Sequence, residues 1–390
     1  MADRPRVVVV GAGIVGTMHA VWAQRCGWDV VHLERDDEPR SATVRNFGLV
    51  WVSGRAAGEE LDLAVRARDL WEAFATDAPG VGFRPDGSLT VVQRPDELAV
   101  LAEVAARRDA ATRQVELLDA DETRRINPAV RGDLLGALWC RADAVVEPGR
   151  ALGALRDSML GVSNGGGPTY RYLGGRTVTA INTGRVTDHT GAHHTGDLVV
   201  VCPGAEHHAG PLADLLGNAP VRRVMLQMMQ TAPLAERLTT SVADGDSLRY
   251  YPAFDVPARA AMEPPAEVVE RFALQLLVSQ RAGGELTIGD THHYDEPFDF
   301  ACDETPYREL AARLERILGA PLPPVVRRWT GVYSQVADGA ICWRDQPADG
   351  VWVITGPGGR GMTLSPAIAE QTWSAHLGVD TPDPVGVGAT

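Results

Sequence analysis

A glycine-rich turn between a short apolar strand and a helix is the feature that most constrains the fold of this chain. The turn contains Gly11, Gly13 and Gly16; it follows the run RVVVV at residues 6–10 and precedes a predicted helix over residues 14–26. In such a turn the first glycine allows the tight bend, the second lets the main chain approach a diphosphate, and the third lets the helix pack closely. The next strand ends at Glu34, whose carboxylate can accept hydrogen bonds from ribose hydroxyls. The pattern predicts a βαβ unit that binds FAD or NAD rather than NADP.

A second glycine-rich loop lies near the other end of the chain. Residues 356–363 (GPGGRGMT) follow a predicted strand at residues 351–355 and precede a helix predicted near residues 365–376. A simple NAD dehydrogenase has no use for this loop. The loop can instead reach the ring of a flavin, where the positive end of the following helix stabilises negative charge. Residues 197–205 (DLVVVCPGA) also resemble the late strand of flavoprotein nucleotide domains, so FAD is the favoured cofactor.

The segments that carry these motifs alternate along the chain with strand-rich segments of another kind. Residues 218–335 read as largely antiparallel strands with a helix at 305–318, and residues 82–93 as a hairpin that turns at Asp86 and Gly87. We predict an α/β fold with two interleaved parts. A Rossmann-like FAD-binding domain takes residues 1–80, 148–215 and 335–378, and a smaller antiparallel-sheet substrate domain takes residues 81–147 and 216–334. The tail, residues 379–390, is predicted to be disordered.

Composition excludes several classes of function. All 37 basic residues are arginine, so the chain can form neither a lysine Schiff base with pyridoxal phosphate nor a Walker-type phosphate site. A net charge of -14 argues against general nucleic-acid binding. The five cysteines are scattered without a Cys-x-x-Cys pair, so we expect no metal site. Because no apolar run is long enough to span a membrane and no signal peptide is evident, we expect a cytoplasmic protein.

Several stretches resemble the D-amino-acid-oxidase superfamily, in the branch that contains glycine oxidase and monomeric sarcosine oxidase. The matching stretches are residues 7–34, 41–48, 197–205 and 351–370, and the resemblance covers most of the chain. It implies an FAD-dependent oxidase of a small amine: hydride passes to flavin N5, water hydrolyses the imine, and O2 reoxidises the flavin to give H2O2. In that family, residues matching 41–48 lie beside the flavin ring and ribityl chain.

Two sequence segments are similar to segments of a bacterial subgroup associated with phosphonate catabolism. They are VRNFGLVW at residues 44–51 and GDTHHY at residues 289–294. This finer resemblance implies a substrate amine with an anionic head group, an aminophosphonate such as 2-aminoethylphosphonate or its N-methyl form.

Two departures from the family pattern bear on the chemistry. Sarcosine oxidases attach their flavin through a cysteine where this chain has Gly331, so we expect noncovalent FAD. They also carry an oxygen-activating lysine where this chain has Thr287, so reaction with O2 would need another cation such as Arg360, His292 or His293. An amino-acid or sarcosine-type dehydrogenase that passes electrons to a carrier is therefore an alternative. A noncatalytic flavin-binding subunit is a second.

The candidate substrate contacts are arginine, tyrosine and histidine side chains. A guanidinium binds a carboxylate or phosphonate through two parallel hydrogen bonds, which suits Arg249, although a surface arginine on a tyrosine-rich strand is the alternative. Adjacent side chains on a strand point to opposite faces, so at most one of His292 and His293 should face a pocket. The predicted catalytic residues are Arg360, His292 and His293, and the predicted substrate contacts are Arg45, Arg249, Tyr250 and Tyr251.

The predicted cofactor contacts come from the two glycine loops and from the segments that resemble flavin-binding ones. They are Gly11, Gly13, Ile14, Val15, Gly16, Glu34, Arg35, Arg45, Asn46, Phe47, Gly48, Val178, Cys202, Pro203, Gly204, Gly358, Gly359, Arg360, Gly361, Met362 and Thr363. The expected partners are a small amine and either O2 or an electron carrier.

Overall fold

A computed structural model describes residues 4–207 and 210–378; the tail predicted to be disordered, residues 379–390, lies outside the described residues. The strands, in chain order, are β1 (Arg6–Val10), β2 (Asp29–Leu33), β3 (Leu49–Val50), β4 (Ser88–Val92), β5 (Val115–Asp119), β6 (Gly136–Cys140), β7 (Ala144–Val145), β8 (Tyr170–Leu173), β9 (Val178–Asn182), β10 (Arg185–Asp188), β11 (His193–Thr195), β12 (Leu198–Val201), β13 (Val221–Pro233), β14 (Ser241–Ala243), β15 (Leu277–Gln280), β16 (Glu285–Gly289), β17 (Val325–Val336), β18 (Trp343–Ala348) and β19 (Val351–Thr355).

The α-helices are α1 (Ile14–Arg25), α2 (Glu59–Asp77), α3 (Pro95–Ala105), α4 (Ala110–Arg113), α5 (Ala120–Ile126), α6 (Pro148–Asn164), α7 (Gly210–Leu216), α8 (Ser247–Tyr250), α9 (Glu267–Phe272), α10 (Glu304–Leu318) and α11 (Gly361–Leu377). Within the described ranges, no helix combines the length and the apolar character needed to cross a membrane.

A six-stranded sheet in the order β18-β19-β12-β1-β2-β8 carries the glycine loops at its strand ends. Its pairs are parallel except for β18 and β19. The run of valines in β1 suits its central place, because such a strand is buried on both faces. Val7 and Val9 pack with α1 and α11, whereas Val8 and Val10 pack on the side of β9–β11. The sheet is thus the middle of three layers.

An eight-stranded sheet in the order β17-β13-β16-β15-β14-β4-β6-β5 forms the second part of the molecule. Its pairs are antiparallel except for β4 and β14. Helix α10 covers one region of it through Leu310, Leu314 and Ile317. The α/β class predicted from sequence is confirmed, although this second sheet has more strands than the first. The strands of the two sheets come from alternating stretches of chain, which supports the interleaved domains; their bounds stay a prediction.

Three local predictions were wrong. Asp86 and Gly87 do not close a hairpin, because β4 pairs with β6 and β14 instead of with residues just before the turn. The segment that contains Arg249 is not a strand but the short helix α8. Residues 272–279, which the sequence predicts as one strand, do not form one, because α9 ends at Phe272 and β15 begins only at Leu277. In each case contacts far away in sequence decide the local conformation.

Candidate active site

A continuous cavity of about 950 Å³ is lined by residues from both large sheets. One end lies at the first glycine loop, and the other lies among side chains of α8, of the segment that follows β16 and of the segment after β3. The cavity is lined by most of the residues that sequence predicted for cofactor and substrate. Three predicted residues lie outside this lining: Gly48, His293 and Thr363.

The first glycine loop brings its main chain to the cavity surface because side chains are sterically excluded from it. Gly11 has φ +95°, and a Cβ there would lie 2.3 Å from the Cys202 carbonyl oxygen. A Cβ on Gly16 would lie 1.9 Å from the Gly11 carbonyl oxygen. The N-terminus of α1 follows the loop directly and presents the positive end of its dipole to the cavity. Such an end stabilises phosphate groups.

Glu34 lies just after β2 and links this strand to the glycine loop. One carboxylate oxygen accepts a hydrogen bond of 2.8 Å from the main-chain N–H of Ala12, and the other accepts one of 3.2 Å from that of Asp36. A carboxylate has about four lone-pair directions, so acceptor capacity remains for ribose hydroxyls. Arg35 also lines the cavity and forms an ion pair of 3.1 Å with Glu206.

Two buried histidines support this end of the cavity from behind. His32 contacts the Gly11 carbonyl oxygen at 3.1 Å and the Tyr170 hydroxyl at 3.0 Å. His19 lies 2.7 Å from the Val15 carbonyl oxygen. Burial lowers the pKa of each histidine from 6.5 to about 4, so both are neutral at pH 7. Their neutral form is therefore part of the folded structure.

Residues 42–48 form a compact turn next to the first glycine loop. The Asn46 side chain donates to the carbonyl of Thr43 at 2.8 Å and accepts from the N–H of Gly48 at 2.6 Å. The Thr43 hydroxyl in turn accepts a hydrogen bond of 2.9 Å from the N–H of Ile14, at the start of α1. Gly48 itself faces the Val146 carbonyl and not the cavity, since a Cβ there would lie 2.1 Å from that oxygen.

The second glycine loop also lines the cavity. Gly358, Gly359, Gly361 and Met362 contribute to the wall, and α11 begins at Gly361. Thr363 is turned away: its hydroxyl accepts from the main-chain N–H of Trp51 at 2.9 Å. The lining therefore fits FAD in kind: a glycine cradle with a helix N-terminus for the diphosphate, an acid for ribose, and a second helix N-terminus at the far loop.

The three arginines predicted for substrate contact or catalysis line the cavity but are already hydrogen-bonded to the protein. Arg249 contacts the Asp246 carboxylate at 3.1 Å and a main-chain carbonyl at 2.5 Å. Arg360 forms an ion pair of 3.3 Å with Glu60. Arg45 donates to two main-chain carbonyls at 2.6 and 2.8 Å. Each guanidinium therefore has fewer N–H groups left for a ligand than its sequence context suggested.

Arg55 is a cavity residue that sequence reasoning missed. It is 4% exposed, and its Nε donates to the Trp51 carbonyl oxygen at 2.8 Å. Among the described residues its two terminal nitrogens have only long contacts, 3.7 Å to Glu60 and 3.5 Å to the Thr363 hydroxyl. Burial lowers its pKa. Its place shortly after residues 44–51, a segment that the sequence analysis singled out, was the available signal.

Aromatic side chains form the wall near Arg55. The Tyr250 ring stacks on His292 with centroids 4.3 Å apart, and the Tyr251 ring lies 5.9 Å from that of Trp51. Burial raises the pKa of Tyr250 and Tyr251, so both hydroxyls stay protonated and can donate. Among the described residues, the indole N–H of Trp51 is buried without a protein partner. Buried polar atoms usually have one, so a ligand or water is expected to supply it.

A buried carboxylate, Asp290, directly follows β16 and was also missed. It is 5% exposed, lines the cavity, and accepts a hydrogen bond of 3.3 Å from the Gln275 side chain. His292 lines the cavity beside it, whereas the His293 ring lies 6.0 Å from the Phe272 ring and outside the lining. A polar residue at the end of a buried strand was the signal that could have identified Asp290.

Comparisons with known proteins agree with this geometry. The model of a family described as FAD dependent oxidoreductase (DAO) matches residues 6–374. One of the opine oxidase subunits of Rhizobium meliloti is 27% identical over 148 residues, 35% of this chain and 40% of that protein. The match thus spans about two fifths of that relative's length.

Solved structures share the fold over nearly the whole chain. Glycine oxidase from Geobacillus kaustophilus superposes with a TM-score of 0.76 at 17% identity and covers 99% of both chains. L-proline dehydrogenase from P. horikoshii also has a TM-score of 0.76 at 17% identity, covering 99% of this chain and 98% of that one. With the family match over residues 6–374, these findings show that the chain belongs to the DAO family of FAD-dependent oxidoreductases.

Proposed function

We propose that this protein oxidises the carbon–nitrogen bond of a small amine with an anionic head group, with an aminophosphonate as the first substrate class to test. The observation that carries the proposal is the continuous cavity that joins the glycine loops to Arg55, Asp290 and His292. Bound FAD supplies the acceptor for the two electrons that leave the amine. The chain's own residues position the amine and exclude water.

The anionic head group is assigned to Arg55, with help from the tyrosine hydroxyls. Its terminal nitrogens are the least engaged donors among the cavity arginines described above. Tyr250 and Tyr251 are protonated donors on the same wall. A charge-assisted hydrogen bond contributes roughly 1.5–3 kcal/mol, so this set can select an anion even in an acidic protein.

The choice of a phosphonate as the head group is supported by the sequence segments at residues 44–51 and 289–294 and by the number of hydrogen-bond donors in the pocket. A dianionic phosphonate accepts more hydrogen bonds than a carboxylate, which suits a pocket with several protonated hydroxyls and one partly engaged guanidinium. The names of two similar proteins, an opine oxidase subunit and a glycine oxidase, support an anionic amine in general. Amino acids and N-methyl amino acids are therefore the matched alternatives.

Noncovalent attachment of FAD is part of the proposal. Gly331 lines the cavity where a related enzyme class has its linking cysteine. Among the described lining residues the one cysteine is Cys202, and burial raises the pKa of its thiol. Because the thiolate is the nucleophilic form, this cysteine is poorly suited to form a flavin link.

A dehydrogenase that delivers electrons to a carrier is the second candidate. The chain has no lysine to promote reaction with O2, and Thr287 is buried and outside the cavity lining. The fold does not separate the two, since a glycine oxidase and an L-proline dehydrogenase match equally well. The similar opine oxidase protein is named as a subunit, which further supports a partner chain as the electron acceptor.

The test is anaerobic mixing of the FAD-loaded protein with 2-aminoethylphosphonate, its N-methyl form, glycine and sarcosine. Bleaching of the flavin by a phosphonate supports the full proposal, and bleaching by glycine or sarcosine alone refutes its phosphonate part. Bleaching by none of a broad set of amines leaves the noncatalytic flavin-binding subunit as the better account. Reoxidation of the bleached enzyme by O2, compared with an artificial carrier, then separates oxidase from dehydrogenase.

A further inference from the structure

Asp290 is a buried carboxylate without a cationic partner among the described arginines. Its main chain continues the ladder between β15 and β16, with hydrogen bonds of 2.8 and 3.1 Å to Gln275. Its side chain is thereby held at the cavity wall. In the part of the chain that the structure describes no arginine forms an ion pair with it, and its charged or titratable neighbours are His292, Tyr250, Tyr251, Tyr294 and Tyr333. A buried charge without a partner is costly, so this arrangement is suited to a cationic ligand.

His292 lies beside this carboxylate. Its Nδ1 lies 3.1 Å from the Ala273 carbonyl oxygen, and a carbonyl can only accept, so Nδ1 carries a proton. Its Nε2 lies 3.9 Å from Asp290 Oδ2. The stacked Tyr250 ring holds the imidazole in this orientation.

We propose that Asp290 binds the ammonium group of the substrate and removes its proton, which makes Asp290 a catalytic residue. This inference rests on the proposed function. One N–H bond of the ammonium breaks and one O–H bond forms on Asp290, so a cation and a carboxylate become a neutral amine and a carboxylic acid. No electrons move in this step. The amine lone pair is then available to assist loss of hydride from the adjacent carbon.

The surroundings favour this transfer in both charge and shape. Burial raises the pKa of Asp290, which brings its affinity for a proton closer to that of the amine. Tyr250 and Tyr251 lie within electrostatic reach of both Asp290 and Arg55. A carboxylate and a guanidinium that line one cavity together with aromatic side chains suit a zwitterion, because the first can bind an ammonium and the second an anionic head group.

The test compares Asp290→Asn with Asp295→Asn, a control that removes a carboxylate from the exposed segment just beyond the cavity lining. Binding is followed by the flavin absorption spectrum with two ligand pairs: 2-aminoethylphosphonate against ethylphosphonate, and glycine against acetate. Binding of the amine member is measured anaerobically at low temperature before turnover. In Asp290→Asn we expect at least tenfold weaker binding of the amine member, with the amine-free member unchanged or tighter. Equal loss for both members, or equal loss in Asp295→Asn, overturns the proposal.

The pH profile separates proton removal from simple positioning. A positioned general base contributes roughly 100-fold to 10,000-fold, so Asp290→Asn should lose at least about a hundredfold in kcat/KM at pH 7. It should then regain about tenfold per pH unit up to the pKa of the amine, because only free amine reacts. Asp290→Glu, which keeps the carboxylate, should retain the wild-type profile at a lower rate and guards against loss of folding in Asp290→Asn.

The failure of this inference can be told from failure of the proposed function. If wild type oxidises an amine and Asp290→Asn keeps the wild-type pH profile, Asp290 is not the proton acceptor although the function stands. If wild type oxidises no amine, the function falls and this inference falls with it.

Discussion

The two ends of the cavity differ in whether main-chain atoms or side chains form their surface. At the cofactor end the surface is main chain, held open by glycines such as Gly11 and Gly16, where any side chain would collide with a carbonyl oxygen. At the substrate end the surface is side chains, with Arg55, Tyr250 and Asp290 coming from separate parts of the chain. The cofactor end recognises a shape that many dinucleotides share. At the substrate end, single substitutions can change which ligand is bound.

The same contrast holds for charge. The cofactor end relies on helix N-termini and one acid, Glu34, and keeps His32 neutral beneath the loop. At the substrate end a buried cation, Arg55, and a buried anion, Asp290, line the same cavity, and both lie within electrostatic reach of Tyr250 and Tyr251. Perturbed ionisable groups in a cleft are typical of functional sites. Substitutions at the cofactor end should therefore abolish all activity, whereas those at the substrate end should change selectivity.

The largest effect is expected for Gly13→Asp. A Cβ at this position meets only the Thr43 hydroxyl, at 3.3 Å, so the fold can tolerate the change. The added carboxylate, however, would repel the diphosphate, and we expect FAD content in the purified, folded protein to fall below detection. Gly13→Ala adds bulk without charge and should retain most of the FAD. Equal FAD content in the two variants would show that charge repulsion at the loop is not decisive.

The next effect concerns acid stability of the cofactor end. The pKa of His32 falls from 6.5 in the unfolded chain to about 4 in the folded one. Between these values the unfolded state binds more protons, so stability present above pH 6.5 is lost as pH falls through 4. The shift corresponds to a loss of roughly 3 kcal/mol. The free energy of unfolding, measured from pH 7.5 to pH 4, should fall less steeply in His32→Gln than in the wild type. An equal slope in the two proteins would contradict this assignment.

A smaller effect separates the arginines of the substrate end. Replacing Arg55 by Met should lower kcat/KM for an anionic amine by about tenfold to a hundredfold, the value of one charge-assisted contact. The matched variant Arg249→Met should cost less, because its guanidinium is already bound to Asp246 and a carbonyl. The readout is steady-state kinetics at fixed pH with flavin content checked. If Arg249→Met lowers kcat/KM more than Arg55→Met does, Arg249 rather than Arg55 binds the anionic head group.

The smallest effect tests the two adjacent histidines. His292→Asn removes the imidazole next to Asp290 and with it a stacking partner of Tyr250, and should lower kcat/KM by about tenfold, toward the low end of acid–base contributions. His293→Asn changes a ring outside the cavity lining and should stay within about twofold, as is usual away from functional contacts. If the two variants have the same kcat/KM, the substrate end extends beyond the residues that line the cavity.

The sequence anticipated elements whose information is local. The sequence predicts a helix over residues 59–77 and a strand over residues 285–289, and these limits agree with α2 and β16. The glycine loop with Glu34 was recognisable because its steric rules apply within one βαβ unit. The failed hairpin at Gly87 shows the limit, since the partners of β4 come from β6 and β14. Arg249 was predicted to bind substrate, but its guanidinium is already hydrogen-bonded to Asp246 and to a main-chain carbonyl. Asp290 went unnoticed because its unpaired state is visible only in three dimensions.

The most direct test of the central claim is the stoichiometry of flavin reduction. FAD-loaded wild-type protein is titrated anaerobically with the amine that bleaches it fastest, and the aldehyde or keto acid formed is counted. We predict that one equivalent of amine reduces one equivalent of FAD and yields one equivalent of carbonyl product. An FAD that stays oxidised with every anionic amine, while dithionite still reduces it, would contradict the claim.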